Sequence, residues 1–221
     1  MPARQGSKRV PLKNFREICG RPAFSWPLDQ AISTNIFDII HVSTDFTAAV
    51  REYGYSEYAQ FVRPTSLSGD DIGLVDVVVY CIDRFDIPDS ATVCLIYPTA
   101  VLLKAKDLIN AVFQYESDCS SSIISVGRFG APIEWAAELD SEGRLKFVSP
   151  EYLGKSSHGM SQKFFDSGEF LVSNAAAFRA NDFGSLKGVR LDFGFSADID
   201  EESDWDDACK LLQAMIVLGE R

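Results

Sequence analysis

The sequence predicts an α/β sandwich built around a mostly parallel sheet. Two observations predict it. Short β-branched runs recur along the chain, and segments with apolar residues at helical spacing separate them. The first two runs also end in polar turns, Ser43-Thr44-Asp45 and Tyr97-Pro98-Thr99-Ala100. In a parallel sheet covered by helices, ligands sit at the carboxyl ends of the strands, where these turns fall.

Residues 39–43 (Ile-Ile-His-Val-Ser) read as a buried strand. Residues 91–97 (Ala-Thr-Val-Cys-Leu-Ile-Tyr) read as a second, stopped by Pro98, and residues 121–126 as a third. Helical patterns occupy residues 22–34, 46–53, 73–85 and 105–116; in the third, Val75, Val78, Val79 and Ile82 fall on one face. The rhythm breaks after residue 130. Residues 136–139 and 145–148 flank Asp140-Ser-Glu-Gly143, a hairpin pattern, and a polar stretch follows to Lys163. Residues 170–172 and 189–193 read as further strands. Residues 202–217 read as a last helix, with Trp205, Ala208, Leu212 and Met215 on one face. The expectation is one domain over residues 1–221, with residues 130–165 inserted as a lid or dimer arm.

Composition narrows the function. The chain is 46% apolar with a net charge of −11. That suits a globular protein with a substantial core and argues against generic nucleic-acid binding, which needs a broad basic face. No apolar run approaches the roughly 20 residues of a membrane span. Met1 is followed at once by Pro2 and Arg4, without the apolar stretch of a signal peptide. The five cysteines form no C-x-x-C pair, so they read as reduced thiols of a cytoplasmic protein. With two histidines and no G-x-S-x-G motif, triad hydrolysis has little support.

Four constellations can carry chemistry. The first sixteen residues hold Arg4, Lys8, Arg9, Lys13 and Arg16 and no acid. Around Gly6 and Ser7 the backbone can approach an anion while the cations offset its charge, so the loop reads as a phosphate cradle or as a solvated basic turn. The second is Asp198-Ile199-Asp200. Extended, it places both carboxylates on one side, a donor set for Mg²⁺; alternatively, these acids serve the helix N-terminus behind them. The third is Phe61-Val-Arg63-Pro64 with Ser66, Ser68, Asp70 and Asp71. Arg63 can fork onto a phosphate or a base edge, or stand as an exposed loop arginine. The fourth, from Phe164 to Phe170, sets Asp166 and Glu169 beside Gly168 among aromatics, as a sugar wall or as a core strand with a bend.

In this order the four resemble blocks of the cytidylyltransferases that activate nine-carbon acidic sugars: the CMP-sialic acid synthetases and their pseudaminic and legionaminic acid relatives. Pro-Ala-Arg-x-Gly-Ser-Lys-Arg-x-Pro-x-Lys-Asn, from Pro2 to Asn14, is similar to their nucleotide signature. Ser43-Thr-Asp45, Arg63-Pro64, Leu67-Ser68, Tyr97-Pro-Thr99, Gly168 and Asp198-Ile-Asp200 match later blocks. Tyr97 and the run from Asp166 to Phe170 look most like the pseudaminic branch. The resemblance implies a Rossmann-like three-layer nucleotide-diphospho-sugar transferase fold and transfer of CMP from CTP to the anomeric hydroxyl of the sugar. It implies that Arg4, Gly6, Ser7, Lys8 and Lys13 hold the triphosphate, and that Asn14 and Arg63 help place the cytidine. Asp198 and Asp200 would bind Mg²⁺. The resemblance further implies that Arg4, Lys8, Asp198 and Asp200 form the catalytic set and that Tyr97, Thr99, Lys155, Asp166 and Glu169 face the sugar. The family pattern includes a homodimer whose inserted segment reaches the partner's site, and an apolar central strand ahead of Pro2. Ser156 stands where the pseudaminic branch often has arginine, a role Lys155 can take. The alternatives are a nucleotidyltransferase for another sugar such as Kdo, and a non-catalytic relative that binds nucleotide or sugar.

Overall fold

The computed structural model describes residues 1–191 and 199–221. The chain starts inside the molecule. Pro2 bridges Ser43 in parallel. The Ser43 N–H donates to the Met1 carbonyl at 2.9 Å, and the Ala3 N–H to the Ser43 carbonyl at 2.8 Å. Of the strand expected at residues 39–43, residues 41–43 pair with residues 1–3 among the described residues. The elements that follow are β1 (Glu17–Ile18), β2 (Arg21–Pro22), α1 (Ser25–Thr34), α2 (Thr47–Glu52), α3 (Leu74–Arg84), β3 (Thr92–Ile96) and α4 (Ala105–Ser117). Then come β4 (Ser121–Arg128), β5 (Ala137–Leu139), β6 (Leu145–Phe147), β7 (Phe164–Asn174), α5 (Ala175–Ala180), β8 (Ser185–Arg190) and α6 (Glu202–Val217).

The central sheet runs β3-β7-β4-β8. Here the mostly parallel expectation needs correction. β4 and β8 are parallel, but β7 lies antiparallel to both β3 and β4. Among the described strands of this sheet, β3, β4 and β8 share one direction and β7 opposes them. The reason is the excursion between β4 and β7. It returns the chain to the end it left from, so β7 enters between its neighbours without a helical crossover.

Side-chain alternation makes the sheet two-faced. Cys94, Ile96, Phe170 and Val172 join Leu108, Ala111, Val112 and Tyr115 of α4 in one cluster. Val93, Leu95 and Leu171 join Val78 and Ile82 of α3 and Phe178 of α5 in another. Helices therefore cover both faces of the sheet, as three layers. Residues 192–198 lie outside the described residues, and with them the end of the strand expected at 189–193. α5 was not expected. It starts on Asn174, whose side chain accepts from the Ala177 N–H at 2.8 Å, a cap before a run of alanines.

Two further cores carry the basic N-terminal loop. Val10 is buried with Ile18, Trp26, Ile199, Trp205 and Leu212. Phe15 is buried with Phe24, Leu28, Val42 and Val50. Each buried side chain of this size contributes about 1.5–3 kcal/mol, so the loop is anchored near its middle and at its end. An apolar cavity of about 370 Å³ opens between Met1, His41 and Ser43 on one side and Val93 to Leu95 on the other. β5 and β6 form the expected hairpin, closed by Asp140, whose Oδ1 accepts the N–H groups of Glu142 and Arg144 at 2.9 Å.

Candidate active site

The loop over residues 4–13 leaves the short parallel pairing of residues 1–3 with 41–43, and residues 44–45 leave it beside the loop. Both therefore project from the carboxyl ends of paired segments. Three contacts shape the loop. The buried Asn14 amide donates to the Arg4 carbonyl at 2.9 Å across the loop's mouth. The Asn14 carbonyl accepts the Phe24 N–H at 2.9 Å, which ties the loop's end to the entry of α1. Leu12, at a φ of 54°, turns the chain so that Phe15 and Arg16 N–H both reach its carbonyl, at 2.7 and 2.8 Å. Gly6 and Lys8 stay exposed and Ser7 half-buried.

The cations of this loop are divided between two acids. Arg4 and Lys8 meet the two oxygens of Asp70 at 2.7 and 2.6 Å. Arg9 and Lys13 meet Asp200 at 2.7 and 3.4 Å, and Lys13 also donates to the Ile199 carbonyl at 2.7 Å. Hydrogen bonds from Lys8 and then Arg4 hold the Asp70 carboxyl below the usual carboxylate range. The basic turn is thus no free cluster of charge. It is a set of cations, each matched to a carboxylate.

Arg63 stands deeper. It is only 3% exposed, so the exposed-arginine alternative is set aside. Its N–H donates to the Thr44 carbonyl at 2.9 Å, and its guanidinium lies 3.8 Å from Asp45. Asp45 also accepts the Gln5 N–H at 2.9 Å, so one carboxylate joins Arg63 to the loop. Nε and Nη2 of Arg63 are buried without a hydrogen-bond partner among the described residues. Burial lowers the guanidinium's pKa, with Asp45 opposing. Buried donors without acceptors are costly, and here they point to an acceptor supplied by a ligand.

The remaining expected residues fall into two groups. Tyr97 and Thr99 follow β3, and the Tyr97 N–H donates to the Glu169 carbonyl at 2.9 Å. Glu169 itself is 1% exposed; its N–H and that of Phe170 both donate to Ser125 Oγ, at 3.0 and 3.2 Å. The Glu169 carboxylate lies inside, in the field of Arg221, whose own pKa burial pulls down to about 10. Asp166 is exposed and accepts the Gly168 N–H at 3.0 Å, with Gly168 at a φ of 64°. This turn sets the register shift of β7, where Ile124 faces Leu171 but Val126 faces Asp166. The segment is a strand with a bend, one of the two readings of its sequence. Lys155 is exposed, its ammonium 4.9 Å from the centre of the Tyr152 ring. It makes no ion pair with the loop cluster among the described residues.

Asp198 lies outside the described residues. Asp200 enters α6: its N–H and that of Glu201 donate to Asp204 at 2.9 and 2.7 Å. No group of three or more metal-ligating side chains occurs among the described residues. Asp200 alone fits a hard cation that keeps most of its waters and takes its other ligands from phosphates. Reading the sequence alone misses the roles of Asp70 and Asp45. Their signal is an acid just after an Arg-Pro turn and an acid closing Ser-Thr-Asp.

A protein-family profile described as Cytidylyltransferase matches residues 1–131. The chain is 28% identical over 186 residues to the pseudaminic acid cytidylyltransferase of Campylobacter jejuni, covering 83% of this chain and 80% of that protein. It is 30% identical over 156 residues to the CMP-N,N'-diacetyllegionaminic acid synthase of Legionella pneumophila, covering 68% of this chain and 65% of that protein. Among solved structures, a CMP:2-keto-3-deoxy-manno-octonic acid synthetase complexed with CTP superposes with a TM-score of 0.68 at 13% identity, over 96% of each chain. That last likeness is one of fold.

Proposed function

The chain belongs to the cytidylyltransferase family, and from that premise we propose that it transfers CMP from CTP to the anomeric hydroxyl of a nonulosonic acid of the pseudaminic, sialic or legionaminic type. The anomeric oxygen attacks the α-phosphorus. The bond from that phosphorus to the bridging oxygen breaks, pyrophosphate leaves, and the hydroxyl proton passes to solvent. Such a transfer asks the protein mainly for positioning and charge neutralisation.

The observation that carries the reading is the loop of four cations at the carboxyl end of the paired segments, beside a buried arginine with unmatched donors. Arg4, Lys8 and Lys13, with the N–H groups of Gly6 and Ser7, grip the triphosphate. Arg63 offers Nε and Nη2 to an acceptor of the cytidine, and Asn14 fixes the loop's mouth. Tyr97, Thr99 and Asp166 border the sugar, with Glu169 supporting them from inside and Lys155 approaching from the inserted segment. Mg²⁺ would be held by Asp200 together with Asp198; when bound, it neutralises phosphate charge and acidifies the attacking hydroxyl. The enzyme would work as a cytoplasmic homodimer, with residues 130–165 as its arm.

The test is pyrophosphate release with CTP, Mg²⁺ and each of the three sugar types in turn. Turnover with one of them is expected, and none with any would overturn the proposal. Asp200→Asn should cut turnover by about 100-fold or more, the size of losing a charge-stabilising contact, while the circular dichroism spectrum stays unchanged. Full activity in that variant would remove Asp200 from the metal site.

A further inference from the structure

We infer that Asp70 is an exchangeable counter-ion: it holds Arg4 and Lys8 in the empty site, yields them to the triphosphate, and takes them back as pyrophosphate leaves. The inference rests on the reading of the loop as a CTP site and extends it to product release.

The two acids facing the loop are not equivalent. Asp200 is fixed. Its N–H is bonded to Asp204, its neighbour Ile199 is fully buried, and Lys13 is bonded to the Ile199 carbonyl as well as to Asp200. Asp70 sits in the connection between a short turn (Thr65–Leu67) and α3, with Gly69 and Gly73 on either side. A Cβ added at Gly69 would meet only Ile72, at 3.8 Å, so the connection is loosely packed there. Asp70 is itself partly exposed, and its partner Lys8 is 83% exposed. The pair can therefore open into water without leaving a buried charge.

The geometry also matches the exchange. Asp70 presents one oxygen to each cation, at 2.7 and 2.6 Å, as a phosphate group presents its own oxygens. A single carboxylate competes poorly against the several charges of a triphosphate and better against the pyrophosphate that remains. Its return would lower the affinity of the spent site for its anionic product. Exposed pairs of this kind are weak and screened by salt, so the expected effect is about threefold to tenfold rather than thousands.

The test compares the wild-type chain with Asp70→Asn and Asp71→Asn, titrating CTP and inorganic pyrophosphate by calorimetry at low and high salt. Asp71 removes the same charge next door and makes no ion pair among the described residues. Asp70→Asn should bind pyrophosphate about fivefold more tightly at low salt. The gain should shrink at high salt, product inhibition should strengthen to match, and Asp71→Asn should behave as wild type. If wild type binds CTP but Asp70→Asn binds pyrophosphate equally or more weakly, the counter-ion role is overturned while the CTP site stands. If no form binds CTP or pyrophosphate, the nucleotide reading falls and the counter-ion role with it.

Discussion

Asn14→Ala separates two roles that one side chain can play. The resemblance puts Asn14 next to cytidine, whereas its amide donates to the Arg4 carbonyl at 2.9 Å and its Oδ1 is buried without a partner among the described residues. Deleting the side chain leaves the Arg4 carbonyl without that donor, at a cost of about 1–3 kcal/mol when no water replaces it. Arg4 is only half-buried, and the unmatched Oδ1 disappears with the side chain, so a value near the bottom of that range is expected. In a chain of 221 residues that lowers Tm by roughly 2–4 °C, leaving the protein folded. The functional cost should be larger. Freed at its mouth, the loop must be reordered by its ligand, and ordering one residue costs about 1–2 kcal/mol. Two residues' worth corresponds to a loss of affinity of about 30-fold to 1,000-fold. The assay is calorimetry with CTP and with inorganic tripolyphosphate, beside a melting curve. A bracket weakens both ligands; a cytidine contact weakens CTP alone. Unchanged tripolyphosphate binding would refute the bracket.

Two further outcomes follow. His41 is buried against Phe61, with ring centres 4.1 Å apart, and burial pushes its pKa down to about 4. The unfolded chain takes up the proton near pH 6.5 and the folded chain only near 4. Stability should therefore fall by up to about 1.4 kcal/mol per unit as pH drops through that window. His41→Gln should flatten the urea midpoint between pH 6.5 and 4; an unchanged slope would assign the loss elsewhere. Leu139, Leu145, Val148 and Leu153 are each at least 60% exposed on or beside the hairpin, an apolar surface suited to a second copy. Leu139→Asp with Leu145→Asp should convert the proposed dimer to a monomer by light scattering, and a mass unaffected by the pair would exclude the hairpin as the arm.

The layers were legible because the forces that build them are local. Val78 and Ile82 repeat at helical spacing in α3, and Leu95 and Ile96 alternate across β3, so core faces could be read from order alone. The direction of β7 could not, because antiparallel entry depends on where a long excursion returns the chain, and no residue between 130 and 163 encodes that. At the site, glycine and lysine in the sequence raised the reading of a phosphate cradle, since an anion needs free N–H groups and charge. The partners of those cations were hidden. Asp70 lies more than sixty positions from Arg4, and only the tertiary fold decides which acids of an acidic chain face the loop. Arg63 left two readings open for the same reason: whether a guanidinium is buried depends on the fold around it, here beside Thr44 and Asp45.

The packing of Val10 and Ile18 against Ile199, Trp205 and Leu212 has a consequence for how the protein is made. Arg9 and Asp200 are 191 positions apart. The basic loop and the acid that meets it are therefore synthesised far apart in time. Contacts so distant in sequence are slow to form, because the chain between them must first be closed. Until α6 emerges, a newborn chain exposes the five positive charges of residues 1–16 and an open apolar seam. A chain cut before residue 199 would lack the residues that meet Arg9, Lys13 and Val10.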